Sequence, residues 1–369
     1  MLSTDVPTAE TADRGLIVRL VFGSMAAQTL RAAVRLRVVE LIGDAPRRAA
    51  DVAADAGAAH QPMTRLLRAL AGLGLLREHA PDSFSVTPAG AHLDPRRPGS
   101  LTSLVRVFTE PVVVRAWEHL DDSVRTGDVA FDAVFGTDFF SHLAQHPELS
   151  ADFNAAMSQA AGETAAVLPR AFDFGRYRAV TDVGGGDGTL LAGVLTAHPA
   201  LTGVLLDTAD GLAQAPETLR RNGLTERCTL VAGDFFRAVP EGSDLYLMKS
   251  VLHDWTDEQA VTILGHCRAV LPPGGRVLIV EPVLPDVVDT DTDTDTDTDT
   301  ADAASQAGAH AADEGLTYLS DLNMLVNVGG RERTRGDFED VCRRAGLSLV
   351  SVIPLPEAAP YSLIEAEAG

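Results

Sequence analysis

Apolar residues recur at helical spacing near the start of the chain. Leu30, Val34, Val38 and Leu41 line one face of a stretch from Leu16 to Ile42, with arginines between them. That stripe predicts a single packing helix, frayed before about Val18. After Pro46 the pattern predicts a short alanine-rich helix, a turn at Gly57, and a second helix from near Pro62 through Leu66, Leu67 and Leu70. Two extended runs follow, Leu75 to Glu78 and Phe84 to Thr87, giving the element order of a winged helix-turn-helix. From 98 to 170 helical stretches alternate with Pro111, Gly127, Gly136 and Pro147, and carry Trp117, Phe131, Phe139, Phe140, Phe153 and Met157.

From Tyr177 the rhythm changes to strand and helix in alternation. Seven apolar runs read as strands: Ala179 to Val183, Thr202 to Asp207, Cys228 to Ala232, Asp244 to Met248, Arg276 to Val280, Leu347 to Ile353 and Ser362 to Glu365. Such alternation predicts an α/β fold with a doubly wound, mainly parallel seven-stranded sheet, whose ligands lie at the carboxyl ends of the strands. Three regions follow from this pass: 1–97, a winged-helix-like domain; 98–170, a helical connector roofing the site; and 171–369, the sheet domain. Asp and Thr alternate six times from Asp289 to Thr300. Charge of one sign at that density has no apolar face to bury, so an insertion over 286–312 is expected to be solvated and mobile.

Composition narrows the partners. Thirty basic against fifty-two acidic residues give a formal charge of −22, which repels nucleic acid and anionic membrane and suits a small-molecule partner. Three scattered cysteines, Cys228, Cys267 and Cys342, form neither a disulfide framework nor a zinc site. With no secretory leader and no apolar run of spanning length, a cytoplasmic location is expected.

The chemistry begins at TDVGGGDG, 181–188, followed by Asp207 at the end of the next strand. Glycines at 184, 185, 186 and 188 leave backbone uncovered where a ligand comes close, and the acid suits a ribose diol. A dinucleotide fingerprint needs a third glycine where this chain has Thr189. The spacing is instead Gly184-x-Gly186-x-Gly188, which favours a cofactor without pyrophosphate, such as S-adenosylmethionine. The plainer alternative is a tight turn in another α/β domain.

Other candidates sit after neighbouring strands. Gly233, Asp234 and Phe235 follow the third, where an acid can accept from an adenine amino group while an aromatic ring stacks on the base. Lys249 to Trp255 follow the fourth and include His253; Glu281 follows the fifth. A metal held by His253, Asp254 and Glu281 is disfavoured, because adjacent side chains seldom converge on one ion. No metal is expected. Thr256 and Gln259 read as a capping box, with Asp257 and Glu258 serving the helix dipole.

Together these motifs resemble the winged-helix, S-adenosylmethionine-dependent small-molecule O-methyltransferases of plant phenolic and bacterial natural-product metabolism, over nearly the whole chain. The resemblance implies a general base at His253 flanked by Glu281 and Glu332 (in GGRERT) as a catalytic set. It implies cofactor contacts from Gly184, Gly186, Asp207, Gly233, Asp234, Phe235, Lys249 and Ser250. It also implies an acceptor pocket drawing on Trp117, Phe153, Asn154, Met157, Asp254, Asp321, Met324 and Asn327. The product would be S-adenosylhomocysteine, the acceptor an aromatic hydroxyl, and the assembly a homodimer through the N-terminal domain. The Asp-Thr insertion departs from the family. So does a shortening by one residue between Asp321 and Gly329 relative to plant members, which leaves the role of Asn327 open. Two rival readings remain: a related enzyme that decarboxylates or hydroxylates a polyketide, and a regulator whose helix with Arg65 and Arg68 enters DNA.

Overall fold

The computed structural model describes residues 9–97, 99–288 and 315–369, so the Asp-Thr run lies outside the described residues. The chain divides into two compact units, Met1–Pro111 and Val112–Gly369.

The first unit contains α1 (Ala9–Val21), α2 (Gly23–Arg35), α3 (Val38–Ile42), β1 (Arg47–Arg48), α4 (Ala49–Asp55), α5 (His60–Gly72), β2 (Leu76–Ala80), β3 (Ser83–Val86) and α6 (Thr102–Phe108). The expected single helix from Leu16 to Ile42 is therefore three. Arg37 takes a left-handed conformation, φ 56°, and breaks the stripe, so that Val34 packs with Val39 and Leu93 while Val38 joins a separate cluster. The chain is also helical well before Val18. Val38, Ile42, Val52, Met63, Leu67, Leu70 and Phe84 are buried in one core. By contrast Leu16, Ile17, Val18, Leu20, Val21 and Phe22 are each 49% to 67% exposed.

The second unit opens with helices α7 (Pro111–Trp117), α8 (Leu120–Thr126), α9 (Ala130–Phe135), α10 (Phe139–Gln145) and the long α11 (Pro147–Ala171). The sheet region follows with β4 (Ala179–Val183), α12 (Thr189–Ala197), β5 (Thr202–Asp207), α13 (Ala215–Arg221), β6 (Cys228–Ala232), β7 (Leu245–Lys249), α14 (Asp257–Val270) and β8 (Arg276–Leu284). A helix over 315–327, α15, leads to β9 (Arg333–Thr334), α16 (Arg335–Arg344), β10 (Leu347–Pro354) and β11 (Tyr361–Ala368).

Strand order is β10-β11-β8-β7-β4-β5-β6, with β9 paired to β8 alone. Pairs from β6 through β8 are parallel, while β11 runs antiparallel to both β8 and β10. From β4 the chain adds β5 and β6 on one side and then β7 and β8 on the other, and this switch between β4 and β7 places a crevice at their carboxyl ends. Fully buried Val180, Leu205, Leu245, Leu247 and Leu278 fill one face of the sheet, and Tyr246, Met248, Val277 and Ile279 fill the other. Strands apolar on both faces are what helices covering both sides require. No single described helix is long and apolar enough to cross a membrane.

Candidate active site

The glycine turn leaves β4 with Gly184, Gly186 and Gly188 all at positive φ, 72°, 57° and 76°. Gly184 and its neighbour Gly185 have no room for a side chain: a Cβ on Gly184 would lie 2.8 Å from Val251 Cγ2, and one on Gly185 would lie 2.4 Å from Leu205 Cδ1. Gly186 differs, because a Cβ there meets nothing within 4 Å. Its bare backbone faces open space, and its N–H donates to Asp207 Oδ2 at 2.8 Å. Asp207 Oδ1 accepts from Thr208 N at 2.6 Å, and a Cβ on Gly211 would lie 2.3 Å from that same Oδ1. Burial pushes the Asp207 carboxyl above its ordinary range, against the pull of these hydrogen bonds.

Asp182 is fully buried one layer below, and its Oδ2 has no hydrogen-bond partner among the described residues. Burial, then the nearby Asp207 charge, raises its carboxyl to about 7, with Lys249 opposing. An open backbone cradle, a carboxylate beside it and an orphaned buried oxygen fit a polar cofactor brought against the turn. Phe235 lies at the same turn, its Cε1 3.6 Å from the Cβ position of Gly184. Gly233 leaves room for Leu206 Cδ1, 2.9 Å from its Cβ position. Asp234 Oδ1 accepts from Phe236 N at 2.9 Å, and its Oδ2 lies 3.4 Å from Arg237 Nε.

His253 sits on the loop after β7. Its Nδ1 lies 3.0 Å from Glu332 Oε1, and its Nε2 lies 3.5 Å from Asp254 Oδ1. Burial opposes a charge on the ring, but Asp254, Glu332 and Glu281 outweigh it and push the imidazole up to about 10. Asp254 is itself raised to about 6, by burial foremost. The two glutamates expected to flank the ring divide the work. Glu281 does not hydrogen-bond the imidazole; its Oε1 accepts from the backbone nitrogens of Val251, Leu252 and His253 at 3.0, 2.6 and 3.3 Å. It lies inside β8 rather than after it, because that strand runs on to Leu284. The extension pairs Val283 with Arg333 and Leu284 with Thr334, which carries Glu332 to the ring.

Residues unread from the sequence hold this loop. Arg333, fully buried, donates to Leu252 O at 2.7 Å, Trp255 O at 2.9 Å and Asp257 Oδ1 at 2.9 Å. Asp257 also receives Arg331, and Glu258 pairs with Arg344, so these acids form ion pairs beyond any service to the helix dipole. The Thr256–Gln259 capping box is present. A Cβ on Gly330 would lie 2.0 Å from His253 O and 2.4 Å from Asp254 C. Backbone cannot give way as a side-chain tip can. Gly330→Ala is therefore expected to displace the His253 loop, cost about 1–3 kcal/mol of stability and lower turnover. Thermal unfolding and steady-state rates check it; an unchanged melting temperature and rate would mean the loop tolerates the shift.

The acceptor candidates divide in two. Phe153 on α11 meets Phe139 and Phe140 edge-on at 5.5 and 6.3 Å, and Phe140 stacks on Trp255 at 5.4 Å. This aromatic chain links the helical layer to the His253 loop. Asn154 Nδ2 donates to Asp210 O at 3.3 Å. Met157 is half-buried beside Ser158, whose hydroxyl donates to Asp187 Oδ2 at 2.8 Å and so ties α11 to the glycine turn. On α15, Asp321 Oδ1 accepts from Glu332 N at 2.8 Å and so holds Glu332. Trp117 Nε1 and Asn327 Nδ2 both donate to Asn323 Oδ1, at 3.0 and 2.9 Å. Asn327 Oδ1 has no partner among the described residues, and Met324 is buried beside it. Lys249 Nζ donates to Ser250 Oγ at 3.1 Å and to Tyr361 Oη at 2.9 Å. Among the described residues no group of three or more His, Cys, Asp or Glu forms a metal-binding cluster.

Comparison with known proteins bears on this geometry. Residues 117–348 match an O-methyltransferase domain and residues 18–93 an O-methyltransferase dimerisation domain. The chain is 43% identical over 352 residues to the O-demethylpuromycin-O-methyltransferase of Streptomyces alboniger, across 95% of this chain and 88% of that one. The crystal structure of LaPhzM superposes with a TM-score of 0.86 at 32% identity, covering 99% of this chain and 100% of that one. An O-methyltransferase of neocarzinostatin biosynthesis, NcsB1, in complex with S-adenosylmethionine and 2-hydroxy-5-methyl naphthoic acid, superposes with a TM-score of 0.75 at 30% identity, over 93% of this chain and 96% of that one.

Proposed function

The chain belongs to the O-methyltransferase family, and from that premise we propose that it methylates a hydroxyl of a small aromatic natural product with His253 as general base. It is an S-adenosylmethionine-dependent O-methyltransferase. When bound, S-adenosylmethionine supplies an electrophilic methyl group on a positively charged sulfur. Gly184, Gly186, Gly233 and Phe235 would hold its adenosyl part, with Asp207 on the ribose, Asp234 on the adenine, and Lys249 and Ser250 completing the site.

The observation that carries the reading is the His253–Glu332 contact of 3.0 Å at the same strand ends as the glycine turn. A carboxylate on Nδ1 fixes the tautomer that leaves Nε2 as the proton acceptor, and stabilises the imidazolium that forms. Glu281, Glu332 and Asp321 act as positioning residues, the first on the loop backbone, the second on the ring and the third on Glu332. The aromatic lining from Phe153 to Trp255 supports a flat, apolar acceptor, received among Trp117, Asn154, Met157, Asp254, Met324 and Asn327. The dimerisation-domain match and the exposed apolar run from Leu16 to Phe22 support a homodimer through the N-terminal unit.

A screen of aromatic hydroxyl compounds for S-adenosylhomocysteine release tests the function. The expected result is a methyl ether formed mole for mole with S-adenosylhomocysteine. Conversion of a polyketide acid to its decarboxylated or hydroxylated product, without a methyl ether, would overturn it.

A further inference from the structure

Tyr361, at the start of β11, hydrogen-bonds Lys249 and Ser250, and nothing in the motif pattern marks it. β11 lies two strands from β7 in the sheet, and Tyr361 stands opposite Pro282 of β8, two residues beyond the Lys249–Val280 pair. This small stagger lets its side chain reach the carboxyl end of β7. There Tyr361 Oη accepts from Lys249 Nζ at 2.9 Å and from Ser250 Oγ at 3.3 Å, and the ammonium also lies 4.0 Å from the ring centroid. Ser250 holds a left-handed backbone, φ 53°, at the turn after β7 where its hydroxyl meets that of the tyrosine. A lysine has four rotatable side-chain bonds and pays for being held in one place. Here three contacts hold it.

We propose that Tyr361 is a positioning residue that fixes the Lys249 ammonium for the carboxylate of the cofactor's amino-acid tail. This rests on the reading of Lys249 as a cofactor contact. Three observations support it. Parallel pairing of Asp182 with Leu247 sets Lys249 level with Gly184, at the mouth of the glycine turn. Lys249 ends β7, and His253 lies four residues on, on the loop that follows, so the lysine stands between the glycine turn and the imidazole. The carboxylate is also the only anionic group of S-adenosylmethionine or S-adenosylhomocysteine, and a fixed ammonium is its natural partner. Positioning the cation before the ligand arrives removes an ordering cost from binding.

Calorimetry on the full chain tests this with two ligands, S-adenosylhomocysteine and its decarboxylated analogue. Tyr361→Phe keeps the ring over the ammonium and removes only the hydroxyl. It is expected to weaken S-adenosylhomocysteine about tenfold, as loss of one hydrogen bond to a charged group does, and to leave the decarboxylated analogue unchanged. Lys249→Met should weaken S-adenosylhomocysteine at least as much, and Tyr361→Phe added to it should do nothing further, because the tyrosine acts through the lysine. If Lys249→Met weakens binding and Tyr361→Phe does not, the role of Tyr361 is overturned while the lysine contact stands. If Lys249→Met leaves binding unchanged, both fall. Equal weakening of both ligands by Tyr361→Phe would also overturn the proposal, since a merely structural defect makes no distinction by carboxylate.

Discussion

Replacing His253 by alanine is expected to lower kcat by about two to four powers of ten, the usual worth of a positioned general base, while leaving S-adenosylhomocysteine affinity within about twofold, since no contact to that ligand is assigned to the ring. The separation follows from where things sit. Glycine turn, Asp207 and Phe235 gather at the ends of β4, β5 and β6. The imidazole stands on the loop after β7, fixed by Glu332 at 3.0 Å. An alanine at 253 keeps the backbone N–H that Glu281 accepts, so the loop keeps its anchor. What remains in the variant is alignment, which alone can contribute about 7–11 kcal/mol. Activity well above background should therefore persist. Single-turnover rates and calorimetry on the same preparation check both halves. A variant that turns over as fast as the parent would remove the base from the mechanism and leave alignment to do everything.

How far the site can be read from the chain depends on which forces write it. β4, β5 and β6 match their expected bounds to the residue, because each is a short apolar run closed by Gly or Asp. His253 stands out for the same reason: it follows such a run. The N-terminal stripe misleads because periodicity records only which residues are apolar. Arg37 at φ 56° breaks the helix, and Val34 and Val38 end in different clusters of the core. The two glutamates are visible as acids near strand ends, yet their division of labour depends on a two-residue parallel ladder, β8 with β9, too short to leave a pattern. Arg333 and Gly330 are invisible for a related reason. A buried guanidinium that caps three oxygens, and a glycine that makes way for a carbonyl, owe their identity to partners some eighty residues distant. Tyr361 is reached only through strand order.

Glu332→Gln is expected to change the shape of the pH profile and not only its height. Beside its carboxylates the imidazole is raised to about 10. A ring must be neutral to accept a proton, and a group whose pKa is raised holds its proton until the pH climbs through that value. With a phenolic acceptor, kcat/KM of the parent should therefore rise about tenfold per pH unit from pH 6 to 9, the consequence of losing a single proton. The raised pKa is also what makes the ring strong enough: a histidine at 6.5 would take a proton from a phenol at 10 at a deficit of about 4.8 kcal/mol, and matching the two removes it. Withdrawing one adjacent carboxylate should lower the ring by about 1–3 units. The variant's rising limb then moves to lower pH, and its intrinsic rate falls with the weaker base. Because base strength enters the rate with only a fractional exponent, the parent's advantage should be greatest near pH 9 and shrink or reverse near pH 6. Profiles of kcat/KM for the two proteins over that range decide it. Parallel curves separated by a constant factor would mean that Glu332 orients the imidazole without holding its proton.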